Sequence, residues 1–264
     1  MNPPAGSLFV FSHPNHEFAV FGMLQRFQPW LVYLTDGGGE QRTAQTRQAL
    51  AEIGLLSQAT FLDYSETSFY DALLRRDADF FAVVADKVRE RACRLAITQV
   101  LCDAVELYNP VHDMALPVVR AALGDLPEVE IFEVPLVYQP EAEFERFVLQ
   151  RFPASRGQNA RRFTLTEKEL ATKLRVYSEI YEALATQMGT LISALPPSHL
   201  GLEEIAPAIA EIWPRPAEQN YRYDRRGQML LARGEVKQNI TFRDHYLPIA
   251  CALGRAELLS SESR

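Results

Sequence analysis

The chain has 264 residues, 47% hydrophobic and 23% charged, which excludes a disordered or fibrous protein. Lys and Arg number 27 against 34 Asp and Glu, a formal net charge of −7, so a broad nucleic-acid surface is not expected. Met1 to Ser7 carries no Lys or Arg, and no apolar stretch approaches the ~18 residues of a membrane span, so neither a secretory signal nor a transmembrane helix is expected.

Ser7 to Ser12 (SLFVFS) reads as a short strand, followed by a polar turn and a helix from Glu17 to Phe27. Trp30 to Thr35 is a second strand, Asp36-Gly37-Gly38-Gly39 its loop, and Arg42 to Ile53 a helix closed by Gly54 at the C′ position. Ala59 to Tyr64 is a third strand. Phe81 to Leu95 is a helix leading to a fourth strand at Thr98 to Cys102; Asp113 to Leu123 is helical, and Val129 to Tyr138 is a fifth strand. Cys102 is then a small core residue. Cys93, Cys102 and Cys251 include no CxxC pair, which excludes a disulfide scaffold and a cysteine-type zinc ribbon and suits a reducing cytoplasm. Farther on, Arg151 to Arg162 is expected as an exposed loop. Glu167 to Leu195 is a long helix with Lys173 and Arg175 on a solvated face, broken by Pro196-Pro197. The remainder reads as irregular, with Ser260 to Arg264 disordered.

Strands alternating with helices of this length predict an α/β fold: a Rossmann-like, mostly parallel sheet covered on both faces. The expectation is one domain, with a core over about 5–145 and a C-terminal helical and irregular extension over about 146–264. Such sheets bind ligands at the carboxyl ends of their strands. That directs attention to the loops at His13 to Glu17, Asp36 to Gln41, Asp103 to His112 and from Gln139 onward, with Tyr138 and Gln139 placed to line a cleft.

His13 and His16 lie in Ser12-His13-Pro14-Asn15-His16-Glu17, directly after the first strand, and His112 in Asn109-Pro110-Val111-His112-Asp113, after the fourth. If those strands are neighbours, three imidazoles converge into an open tetrahedral metal site with one position for water. A bound ion there would acidify the water and polarise a carbonyl. The plain alternative is a His-x-x-His on a surface loop. His199 and His245 lie outside both motifs and are assigned no role.

Taken together, these motifs resemble the PIG-L/LmbE superfamily of zinc-dependent N-deacetylases. The family's opening His-Pro-Asp-Asp-Glu is matched by His13-Pro14-Asn15-His16-Glu17, and its Thr-Asp-Gly loop by Thr35-Asp36-Gly37. Its helix from Arg to Leu-Gly is matched by Arg42 through Ile53-Gly54, and its late Glu-Gly-Gly-His-Pro-Asp-His-Asp by Glu106 through Asp113. The resemblance implies metal ligands at His13, His16 and His112, the second changed from carboxylate to imidazole. Zinc is the expected ion, with iron or nickel also suited to a less negative shell. It implies substrate contacts at Arg42 and Glu66, and Asp36 is expected to join them in binding substrate.

Two positions depart. Asn15 replaces the family's general base and cannot accept a proton at working pH, while Asn109 replaces an oxyanion-stabilising His and keeps only hydrogen-bond donation. The carboxylates left nearby are Glu17, Glu106, Asp113 and, on a neighbouring loop, Asp36. Glu17 is placed to favour the N-terminus of the first helix, and Asp113 to orient a His or cap its own helix. Glu106, inside a loop at the strand ends, is expected to face the cleft or water as a base. The Asp36 loop lacks phosphate-cradle spacing and reads as a tight turn. Gln219 to Arg226 is an exposed loop or a lid.

The expected function is hydrolysis of an amide in an N-acetylated sugar or related small molecule. The alternatives are a family member that binds metal or ligand without hydrolysis, or a three-His centre with redox chemistry. Nothing in the chain speaks to oligomeric state.

Overall fold

All five residues of β1 (Ser7–Phe11) are buried, and they divide between two apolar clusters: Leu8 and Val10 face one side, Phe9 and Phe11 the other. β2 (Trp30–Thr35) repeats the division, with Val32 and Leu34 against Leu31 and Tyr33. This two-residue period is that of a strand covered on both faces, which is why the sequence shows a near-continuous apolar run. Each fully buried side chain of this size contributes about 1.5–3 kcal/mol, and a one-residue slip would exchange the two sets.

The computed structural model describes residues 6–138, 147–209 and 222–262. After β1 and β2, α1 (Phe21–Phe27) lying between them, come α2 (Glu40–Glu52), β3 (Ala59–Tyr64), α3 (Glu66–Arg75), α4 (Ala78–Arg94), β4 (Gln99–Asp103), α5 (Pro110–Asp113), α6 (Ala115–Leu123), β5 (Glu130–Val134) and β6 (Val137–Tyr138). The C-terminal part contains β7 (Val148–Leu149), α7 (Ala154–Gly157), β8 (Arg161–Thr164), α8 (Glu167–Glu179), α9 (Glu182–Ser193), α10 (Pro197–Leu200), β9 (Leu202–Pro207), α11 (Arg222–Ala232) and α12 (Leu247–Glu262).

The sheet runs β3-β2-β1-β4-β5-β9-β8, with the first five strands parallel and the last two antiparallel. β1 pairs with both β2 and β4, so the strand order reverses at β1 and the loops after β1 and β4 emerge side by side. Apolar residues of α4, α6 and α12 fill the first cluster; those of α1, α2, α8 and α9 fill the second. Cys102 sits in the first, fully buried. Among the described residues no helix is long and apolar enough to cross a membrane.

Several expectations are corrected. The first helix begins as a 3-10 turn at His16–Val20. α3 falls where no helix was expected, although Ser65 caps it by accepting from the Ser68 N–H. The fifth strand stops at Val134 because Pro135 lacks an N–H, and resumes as the β6–β7 ribbon. Arg151 to Arg162 holds α7 and the start of β8. The long helix breaks at Ile180 and Tyr181, where the buried Tyr181 hydroxyl reaches Glu17 at 2.7 Å.

Lys173 is not solvated but fully buried, 2.9 Å from the Glu203 carboxylate. The remainder is not irregular, since β9 joins the sheet. Helix α12 runs to Glu262 through the expected disordered tail, whose residues 263–264 lie outside the described residues. So do 139 onward to 146 and 219–221 of the expected lid; from Arg222 that segment is helix.

Candidate metal centre and cavity

The carboxyl ends of β1 and β4 bring His13, His16 and His112 together. Their ring centroids are 4.9 Å (His13–His16), 4.8 Å (His13–His112) and 4.4 Å (His16–His112) apart. One ring nitrogen from each lies within 4.8 Å of the others. Burial, then the neighbouring imidazoles, pushes the pKa of His13 and His112 well down, so both rings are neutral and keep a lone pair.

Hydrogen bonds behind the rings set which nitrogen is offered. Thr35 Oγ1 donates to the Ser12 carbonyl at 2.7 Å and accepts from the Gly37 N–H, so toward His13 Nδ1, 2.9 Å away, it can only accept. His13 therefore carries its proton on Nδ1 and leaves Nε2 bare. His16 donates Nδ1–H to the buried Asp103 carboxylate at 2.9 Å; Asp103 also accepts from the Ser12 N–H and hydroxyl. That is the outer support a metal-binding imidazole needs. His112 Nδ1 is buried with no hydrogen-bond partner. The bare Nε2 of His13 faces Glu66 Oε1 at 3.4 Å. A cation satisfies all of these groups at once. The donor set fits a divalent metal.

Asn15 lies beside the cluster with φ 77°, a left-handed conformation that Asn tolerates better than most residues. Its Nδ2 donates to Thr46, while Oδ1 is buried without a partner. Asn109 caps α5, Oδ1 accepting from the Val111 N–H at 2.8 Å, which leaves its Nδ2–H₂ as a donor.

The expected carboxylates separate. Glu17 stands in the first turn of the 3-10 helix, as expected, but is also fully buried, and its Oε1 accepts from the Thr46 and Tyr181 hydroxyls at 2.6 and 2.7 Å. Glu106 does not face the cleft; it accepts the Leu136 and Val137 N–H groups at 2.9 and 2.8 Å. Asp113 accepts those of Glu106 and Leu107. Burial pushes both carboxyls up to about 8, against the pull of these N–H donors. Asp36 accepts from the N–H groups of Gly38 and Glu66, closing its turn and fixing the start of α3. Gly37 has φ 66°, and a Cβ there would stand 3.3 Å from that of His13.

A cavity of about 430 Å³ opens over the three imidazoles. Asn15, Arg42, Glu66, Tyr70 and Asn109 line it, as do Leu136 and Val137 in place of Tyr138, and Arg226 from the segment expected as a loop. Among the described residues Glu66 is the one carboxylate on its wall. Burial raises the Glu66 carboxyl, opposed by Arg42, and raises the Tyr70 phenol, which donates to Glu66 at 3.2 Å. Arg42 donates to the Gln187 side chain of α9. Asp103, Thr35, Tyr70 and Gln187 were missed by sequence reasoning; Asp103 and Thr35 end strands beside the histidine loops, a positional signal that could have found them.

No protein-family profile matches the chain. No curated protein sequence matches it either. Solved structures do. The A40926 pseudoaglycone deacetylase Dbv21 superposes with TM-score 0.55 at 13% identity, over 78% of this chain and 97% of that one. A deacetylase of the teicoplanin biosynthetic pathway, in its complex with bog, gives 0.53 at 11% identity over 78% and 99%. The triple mutant Orf2*T, a deacetylase of the same pathway, gives 0.51 at 13% over 78% and 100%. The molecule thus shares its α/β fold with these solved deacetylases. At these identities the likeness establishes the fold.

Proposed function

We propose that the protein is a metal-dependent amide hydrolase, a deacylase of an N-acylated sugar or related small molecule, with zinc held by His13, His16 and His112. The observation that carries this reading is the protonation pattern of the centre: outer nitrogens committed to Thr35 and Asp103, and a bare Nε2 on His13 facing Glu66. The fold shared with solved deacetylases supports it. The bound ion would supply an acidified water and a polarised carbonyl.

The residues of the chain do the rest. Glu66, on the cavity wall, takes the proton that water loses on attacking the carbonyl carbon, and returns it to the amine nitrogen as the C–N bond breaks. It thus replaces the base that Asn15 cannot be. Nδ2–H₂ of Asn109 donates to the developing oxyanion, while the Tyr70 hydroxyl holds Glu66 in place. Arg42, held by Gln187, orients hydroxyl groups of the amine half. Glu106, Asp113 and Asp36 position the loops. The unpaired Cys93, Cys102 and Cys251 accord with a reducing cytoplasm.

Elemental analysis of untagged protein beside the His13→Ala/His112→Ala double variant tests the centre, and acetate release from N-acetylglucosamine derivatives tests the reaction. About one equivalent of zinc, lost in the variant, with metal-dependent release is the expected result. Metal without release, but with oxygen uptake by the iron form, would replace hydrolysis by redox chemistry. No metal after incubation with zinc, iron or nickel would leave a binding protein.

A further inference from the structure

The cavity has a second side that removal of an acetyl group does not use. Helix α9 presents Leu184, Met188 and Ile192 at four-residue spacing, hence on one face, and the β6–β7 ribbon with its approach presents Leu136, Val137 and Leu149. All six line the cavity and belong to, or pack against, a single apolar cluster. Ile192, Leu136, Val137 and Leu149 are buried, while Leu184 and Met188 remain half-buried on the cavity side.

This wall is held in place before any ligand arrives. Glu106 binds the Leu136 and Val137 N–H groups, Gln150 N–H donates to the Leu136 carbonyl at 3.0 Å, and a ring nitrogen of His199 donates to the Leu149 carbonyl at 2.8 Å. The same helix reaches the polar side through Gln187 on Arg42.

We infer that the substrate is an N-acyl compound whose acyl group is longer than acetyl, its chain lying along the wall of α9 and the ribbon. This rests on the proposed function and deepens it. With the amide carbon over the imidazoles, one substituent meets Arg42 and Glu66, which suit a hydroxylated amine; the other is left to the six aliphatic side chains. A methyl group covers little of them. Each further buried methylene strengthens binding about fourfold, the equivalent of about 0.8 kcal/mol. Met188, flexible and polarizable, adapts to the chain end.

The test uses the metal-loaded full chain and N-(alkylsulfonyl)glucosamines with methyl, butyl, hexyl and octyl groups, which are not hydrolysed. Calorimetry should show Kd falling about fourfold per methylene up to a plateau. Met188→Gln and Leu184→Gln, both at half-buried positions, should each flatten the series while leaving the methyl compound's Kd unchanged. A second series carries the methylsulfonyl group on nitrogen and the alkyl chain as a glycoside. A gain confined to that series overturns the acyl-side placement, and no gain in either overturns the subsite. Because binding is read without turnover, a rising acyl series in a protein that never hydrolyses N-acylglucosamines would sink the proposed reaction and leave the subsite standing.

Discussion

The floor of the cavity and its apolar wall come from different stretches of the chain and are held by different forces. The floor is drawn from positions 13 to 112. There, short hydrogen bonds donated to buried Thr35 and Asp103 fix His13 and His16, and Asp36 fixes the helix that starts with Glu66. The wall is drawn from positions 136 to 192 and is a packed aliphatic surface whose ribbon is pinned by Glu106 and His199. Directional bonds suit the part proposed to hold a metal and move a proton. Non-directional packing suits the part that only has to exclude water and fit a chain.

If that division holds, floor variants change metal content and kcat, and wall variants change affinity. The largest effect falls on metal: His112→Ala should reduce bound metal from about one equivalent to background by elemental analysis. Met188→Gln should leave it unchanged; a loss there would erase the distinction. Next, Glu66→Gln should lower kcat by about 10²–10⁴-fold with metal retained, and Asn15→Asp in the same background should restore part of it. A Glu66→Gln variant with full kcat would overturn the assignment of Glu66 as the base.

Behind the wall, Lys173→Ala strips the buried Glu203 of its cation and should cost about 3–5 kcal/mol in urea unfolding, with kcat of the folded fraction intact. Smallest is Asp103→Asn. It should weaken metal binding about 10–100-fold in competition with a chelating dye, since His16 keeps its place but loses a charged acceptor.

The floor was far more legible than the wall, for physical reasons. β1, β2 and β4 are parallel strands buried on both faces, so each shows an apolar run, and a ligand-bearing loop follows at a known end. His13, His16 and His112 could be placed from that alone, whereas Asn15 and Asn109 were singled out through the family resemblance. Glu106 and Asp113 could not: whether a loop carboxylate faces a cleft or gathers backbone N–H groups depends on where Leu136 and Leu107 come to lie, and no local pattern carries that. α9 was hidden inside a longer helical period, because the break lies at Tyr181, whose hydroxyl bonds to Glu17, distant in sequence, and no local pattern marks it. Lys173 was misread for the same reason, since a lone Lys on a helix is solvated unless a partner such as Glu203 arrives from another strand.

The Thr35 hydroxyl has a consequence beyond its bond lengths. It faces the Ser12 carbonyl and His13 because β2 pairs with β1 in the alignment Phe11 to Tyr33. The position of a proton on an imidazole is thereby written into the alignment of two backbones. An insertion or deletion between Phe27 and Trp30 that moved β2 by a single residue would turn the Thr35 side chain to the opposite face. His13 would then be free to carry its proton on either nitrogen, and a change far from the three imidazoles would act as a lesion of the candidate metal centre.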